Sequence, residues 1–134
     1  MSYSIADAAR RSGLSIDTLR YYERIGLIDP PERDVAGRRR YSDPDLGWLE
    51  FLTKLRTTGM PIRMMRQYAQ LRRQGPASAA LRRQILVAHR GDVLARIAEL
   101  QGCVDVLDFK ITNYEQLEAR MGHLLPEDSQ EASA

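Results

Sequence analysis

The stretch Ser15-Ile16-Asp17-Thr18-Leu19-Arg20-Tyr21-Tyr22-Glu23-Arg24-Ile25-Gly26-Leu27-Ile28 decides how the rest of the chain is read. Ser15 is an N-cap residue by type, and Ile16, Leu19, Tyr22 and Ile25 recur at helical spacing. Adjacent helical side chains diverge by about 100°, so Tyr21 and Tyr22 cannot both face one core. Tyr22, three residues after Leu19, takes the inward position. Tyr21 is then held at the surface between Arg20 and Arg24. An exposed aromatic flanked by fixed positive charge suggests a partner with phosphates and flat faces.

Upstream, Ser4-Ile-Ala-Asp7 has capping-box spacing with Asp in the place of Glu or Gln. It predicts a short helix with Ile5, Ala8 and Ala9 on its apolar stripe, ending at Ser12. Gly13 suits a left-handed turn, and Leu14 plugs the corner. Two short helices joined by a glycine turn make a helix-turn-helix, although spacing alone equally fits a generic helical hairpin.

Downstream, "DPPERDVAGRRRYS" is basic and flanked by prolines that stop the helix. Gly37 predicts the turn of a two-stranded hairpin with Arg38 to Tyr41 on its return strand. Ser42 then caps a third helix carrying Leu46, Leu49, Leu52 and Leu55, which Gly59 ends. Pro61 opens a fourth helix, "PIRMMRQYAQLRR", and Gly75-Pro76 breaks it. Trp48, Phe51, Met64 and Met65 read as core.

From about Ser78 to Met121 the pattern is one long helix. Val93, Ile97, Leu100, Val104, Leu107, Ile111 and Tyr114 alternate spacings of four and three, the a and d positions of heptads. So narrow a stripe needs a partner helix, and no other segment is long enough. A second copy of the same helix, giving a two-fold homodimer, is the simplest partner. The expected organisation is therefore a helix-turn-helix domain over 1–75, a dimerisation helix over 76–122 and a disordered acidic tail over 123–134.

Charge follows the same division. Residues 1–73 carry 14 Lys/Arg against 9 Asp/Glu, and residues 74–134 carry 6 against 9. Of the 20 basic residues 18 are arginine, which suits bidentate contacts to phosphate and guanine. A basic front half and an acidic back half place nucleic acid at one end. With 134 residues, one cysteine, no basic-then-apolar leader and no apolar run near the roughly 20 residues of a membrane span, a cytoplasmic protein is expected. Two histidines far apart, no glycine-rich phosphate loop and no carboxylate pair in a catalytic setting leave no catalytic residue, cofactor or metal to assign.

"YSIADAARRSGLSIDTLRYYERIGLI", then "GRRRYS", then a helix ending "GMPI" and a long dimer helix closely resemble the mercury-resistance-regulator (MerR) family. The later "YAQLRRQG" and "KITNYEQLEA" resemble its short members, which lack a separate ligand-binding domain. The resemblance implies a mainly α fold: a winged helix-turn-helix domain followed by a long antiparallel coiled-coil dimerisation helix. It implies a homodimer that reads an inverted-repeat operator in double-stranded promoter DNA. Activation would come from distorting an over-long promoter spacer for RNA polymerase.

On this reading the second helix enters the major groove. Arg20, Tyr21 and Arg24 lie on or near its outward face, with Ser15, Asp17 and Thr18 at its N-terminal end. The resemblance places Arg39 and Tyr41 at a backbone-contacting wing and Arg63 at a second wing near a helix start. Metal-sensing members carry paired cysteines beyond the dimer helix; here that region has none, and His123 with scattered carboxylates is a poor site for a thiophilic metal. Cys103, at g beside the seam, is the remaining candidate sensor of oxidants or electrophiles; inert packing is the other reading. The competing functional class is a nucleoid-architectural or adaptor protein using the winged helix without inducer control.

Overall fold

In the computed structural model, which describes residues 1–124, two units are distinguishable: Met1–Arg90 and the chain from Gly91 onward. The first unit begins with β1 (Ser2–Tyr3), α1 (Ile5–Ser12) and α2 (Ile16–Arg24). It continues with β2 (Glu32–Arg33), β3 (Arg39–Ser42), α3 (Asp43–Thr57) and α4 (Ile62–Arg73). A single 3-10 turn, Gly75–Ser78, leads into α5 (Ala79–Leu124). The helix thus starts one residue later than its pattern suggests and continues past Met121. Residues 125–134, most of the expected acidic tail, lie outside the described residues.

Local chemistry sets these boundaries. Ser4 Oγ accepts the Asp7 N–H at 3.1 Å, and Ser15 Oγ accepts the Thr18 N–H at 3.0 Å. Gly13 takes φ +77°, the left-handed conformation that lets α1 turn directly into α2. Ser42 and Asp45 form a reciprocal capping box at the start of α3.

β1 pairs with β3 (Tyr3 opposite Tyr41), and β2 pairs with β3 (Arg33 opposite Arg39), giving a three-stranded antiparallel sheet in the order β1-β3-β2. The sequence pattern predicts only the hairpin. The third strand comes from residues too few to show alternation.

The core is built from Ala8, Leu19, Tyr22, Leu27, Leu49, Leu52, Met65 and Ala69 among others. Met65 is fully buried, while Trp48, Phe51 and Met64 pack partly buried at its margin. Trp48 Nε1 donates to the Leu27 carbonyl at 2.9 Å, and its ring stacks on Tyr68 with centroids 5.9 Å apart. Arg73 holds the end of α4 to the turn after α2 through Asp29 (2.8 Å) and the Gly26 carbonyl (2.6 Å).

His89 Nε2 lies 2.7 Å from Thr58 Oγ1. The same hydroxyl donates to the Lys54 carbonyl at 2.7 Å. Among the described residues no helix is long and apolar enough to cross a membrane.

Candidate nucleic-acid interface

The adjacent tyrosines separate as the helical period requires: Tyr22 is 3% exposed and Tyr21 is 41% exposed. Arg24 reaches over the Tyr21 ring, 5.6 Å from its centroid, so the two form one cationic aromatic surface. Arg20 and Asp17 are exposed on the same helix. Ser15 and Thr18 are committed to capping, since besides the backbone bond their hydroxyls meet at 2.8 Å. Their first task is to start α2 in the right place.

Beside α2 lies the wing. Asp34 organises its tip: one carboxylate oxygen accepts the N–H groups of Ala36 and Arg38, each at 2.9 Å. Those bonds, led by the one from Arg38, hold the Asp34 carboxyl below its ordinary pKa. Gly37 at φ +81° closes the turn in a conformation that a side chain would strain.

The wing and α2 are joined by an ion pair between Arg39 Nε and Glu23 Oε2 at 2.7 Å, with side chains only 25% and 16% exposed. The Glu23 hydrogen bond raises the already high pKa of Arg39, so its charge is permanent. The resemblance places Arg39 at a backbone-contacting wing; here its Nε is engaged by Glu23, which fixes the wing against α2.

Tyr41 is a correction. It was expected at a DNA backbone contact, yet its ring is 1% exposed and belongs to the core. Pairing with β1 covers β3 on that side, and α3 packs against it, so Tyr41 faces inward. Its hydroxyl is buried without a partner. Burial, with Glu23 beside it, pushes that hydroxyl above the usual phenol range, so it stays protonated. A ring enclosed in this way cannot touch a phosphate.

What sequence reasoning missed is a groove of about 340 Å³ between α2 and the wing, lined by Ser4 and by arginines 20, 33, 38, 39 and 40. Arg33 donates to the Gly37 carbonyl (2.7 Å) and Arg40 to the Ser2 carbonyl (2.9 Å), so both are positioned by the hairpin and β1. Arg38 pairs with Asp34 at 3.3 Å. Arg20 makes no hydrogen bond or ion pair to another described residue, which leaves its whole guanidinium available. The "RRR" run carried part of this signal, but the convergence of Arg33 and Arg40 depends on strand register.

Arg63 is exposed in the first turn of α4, a helix whose N-terminus carries no side-chain cap. Free N–H groups and an arginine share that end. The chemistry of both surfaces suits anions, and on α2 the exposed Tyr21 ring lies beside Arg24. Cys103 is exposed on α5, and no group of His, Cys, Asp and Glu fit to hold a metal occurs among the described residues.

Residues 3–71 match the family described as MerR HTH family regulatory protein, and residues 46–109 match the one described as MerR, DNA binding. The chain belongs to the MerR family.

Three relatives match it over 89% of its length or more. An uncharacterised HTH-type transcriptional regulator of Haemophilus influenzae is 34% identical over 119 residues, 89% of this chain and 88% of that one. A crystal structure of a MerR family transcriptional regulator from Listeria monocytogenes superposes with a TM-score of 0.85 at 37% identity, covering 98% and 99% of the two chains. A second structure is of HiNmlR, a MerR family regulator lacking the sensor domain, bound to promoter DNA. It gives a TM-score of 0.79 at 34% identity over 89% of this chain and 94% of that chain. The protein is thus a DNA-binding MerR-family transcriptional regulator, with a winged helix-turn-helix followed by a long helix.

Proposed function

We propose that this MerR-family regulator binds an inverted-repeat operator as a homodimer, each copy laying α2 in the major groove and its wing along the neighbouring backbone. The observation that carries this reading is the single cationic surface formed by Arg20, Tyr21 and Arg24 on α2 and the arginine-lined groove beside it. Arg20 is the base reader, because it alone among the groove arginines is uncommitted within the fold. Arg33, Arg38, Arg40 and Arg63 serve the phosphates. The relative HiNmlR, crystallised bound to promoter DNA, supports the choice of partner.

The homodimer rests on the α5 seam. Ile97, Leu100, Val104, Leu107, Ile111 and Tyr114 are 45–61% exposed along the single chain. Each apolar side chain is worth about 1.5–3 kcal/mol when fully buried. Six such side chains in each copy, about half exposed along the single chain, can together match or exceed an association cost of about 4–15 kcal/mol.

Control is proposed to run through the spacing of the two heads, with promoter DNA distorted for RNA polymerase. Cys103, the single thiol of the chain, is the candidate sensor of oxidants or electrophiles. Promoter output that responds to diamide equally in wild type and in Cys103→Ser would remove it.

The deciding experiment is titration of operator and scrambled duplexes over a range of salt. Arg20→Ala should lose about 1–3 kcal/mol on the operator and little on scrambled DNA. Arg63→Ala should weaken both alike and flatten the salt slope by about one. Equal affinity of the wild-type protein for operator and scrambled DNA would favour the architectural reading.

A further inference from the structure

We propose that Arg90 and Glu118 fix the antiparallel orientation of the dimer by pairing across the two copies. The last helical turns of the second copy seat in a groove at the start of α5. This rests on the dimer reading given above and names the residues that make it directional.

The heptad spacing extends beyond the apolar seam at both ends. Arg83, Leu86 and Arg90 precede Val93, and Glu118 and Met121 follow Tyr114, at the same alternation of three and four within one unbroken helix. With Val104 at a, Arg83, Arg90 and Glu118 also occupy a, positions that a two-stranded coil points at its partner.

Around the two arginines the first unit forms a concave surface of about 360 Å³, lined by Tyr68, Leu86 and Val87 among others. Neither Arg83 nor Arg90 forms an ion pair with another described residue, whereas neighbouring Arg82 is held by Ser78 Oγ and the Gly75 carbonyl. Glu118 has no such pair either. It lies about 42 Å along the helix from Arg90, at about 1.5 Å per residue, so the two cannot meet within one chain.

In a parallel pair Arg90 would face its own mate, and so would Glu118, setting like charges together twice. An antiparallel pair reverses this. Two antiparallel registers match a with d over six of the seven seam residues. One sets Leu100 opposite Val104 of the partner subunit, and Leu86 opposite Glu118 of the partner subunit. The other sets Leu107 opposite Val104 of the partner subunit, and Val93 opposite Glu118 of the partner subunit. In both, Glu118 of the partner subunit comes within about one turn of Arg90, and Met121 of the partner subunit faces Arg83 or Arg90.

Arg96 and Lys110, at g, favour the opposite orientation in the first of these registers, where they approach each other across the two helices. Pairs at the solvated rim are screened and weak, whereas charges at a lose their water and are decisive if unpaired.

Sedimentation equilibrium of the full chain at low salt tests this, with far-UV circular dichroism checking that helix content is kept. Arg90→Glu and Glu118→Arg should each raise the dimer dissociation constant by about tenfold or more. The double reversal should return it to within about threefold of wild type. Single reversals that both stay within about twofold, or a double variant weaker than either single, overturn the pairing. If Leu107→Asp abolishes the dimer while the charge variants do not, the seam stands and this inference falls. A wild-type protein that sediments as a monomer removes both.

Discussion

Tyr41 shows how a single side chain can look functional in sequence and be structural in the fold. Removing its enclosed, unpartnered hydroxyl relieves a desolvation cost, so Tyr41→Phe should stabilise the protein by about 1 kcal/mol, or leave it unchanged. Thermal melts check the stability, and operator affinity should stay within about twofold. A marked loss of affinity at unchanged stability would return Tyr41 to the interface. Glu23→Ala tests the opposite case, because it leaves the part-buried Arg39 guanidinium without its acceptor. It should cost about 1–3 kcal/mol in a denaturant titration and weaken operator binding by loosening the wing. At this scale Tyr22 inside and Tyr21 outside was legible, since one helical period decides it. Tyr41 and Arg39 were not, because their directions depend on β1 and on Glu23, which are distant in sequence.

Among the elements, those with a cap written into them could be read directly. Ser4, Ser15 and Ser42 start α1, α2 and α3 through bonds to the residue three positions on, and Gly13 turns the first helix into the second. The short N-terminal strand, and with it the arginine-lined groove, was not legible. Two residues carry no periodicity, and cross-strand register is a long-range property. The wing tip carries a pH dependence. The Asp34 carboxylate has its pKa lowered by the N–H groups it accepts. A depressed carboxylate contributes stability that is present above its ordinary unfolded pKa and is lost as pH falls through the lowered folded value. The wing amides of Ala36 and Arg38 should therefore keep their NMR shifts through neutral pH and move together only in the acid range below the usual carboxylate pKa. Asp34→Asn should abolish that titration; amides that titrate unchanged in the variant would assign the turn to another group.

For the whole molecule, the proposed dimer makes one claim: two heads at a fixed separation. Leu107→Asp should convert the protein to monomer, by putting a charge in a desolvated seam at a cost of several kcal/mol per dimer, and should reduce operator affinity accordingly. A charged seam that still sediments as a dimer would show that α5 pairs through another face. The apolar stripe of α5 was legible in sequence because one unbroken helix carries it. Head geometry was not, because it belongs to a pair of chains. It is measured most directly by binding to an inverted-repeat operator and to the same operator with about half a helical turn, roughly 5 base pairs, inserted at its centre. Heads held by a rigid helix pair can reach only one half-site of the longer DNA, so affinity should fall by about a hundredfold or more. Equal affinity for both duplexes would contradict a dimer that reads two half-sites at once.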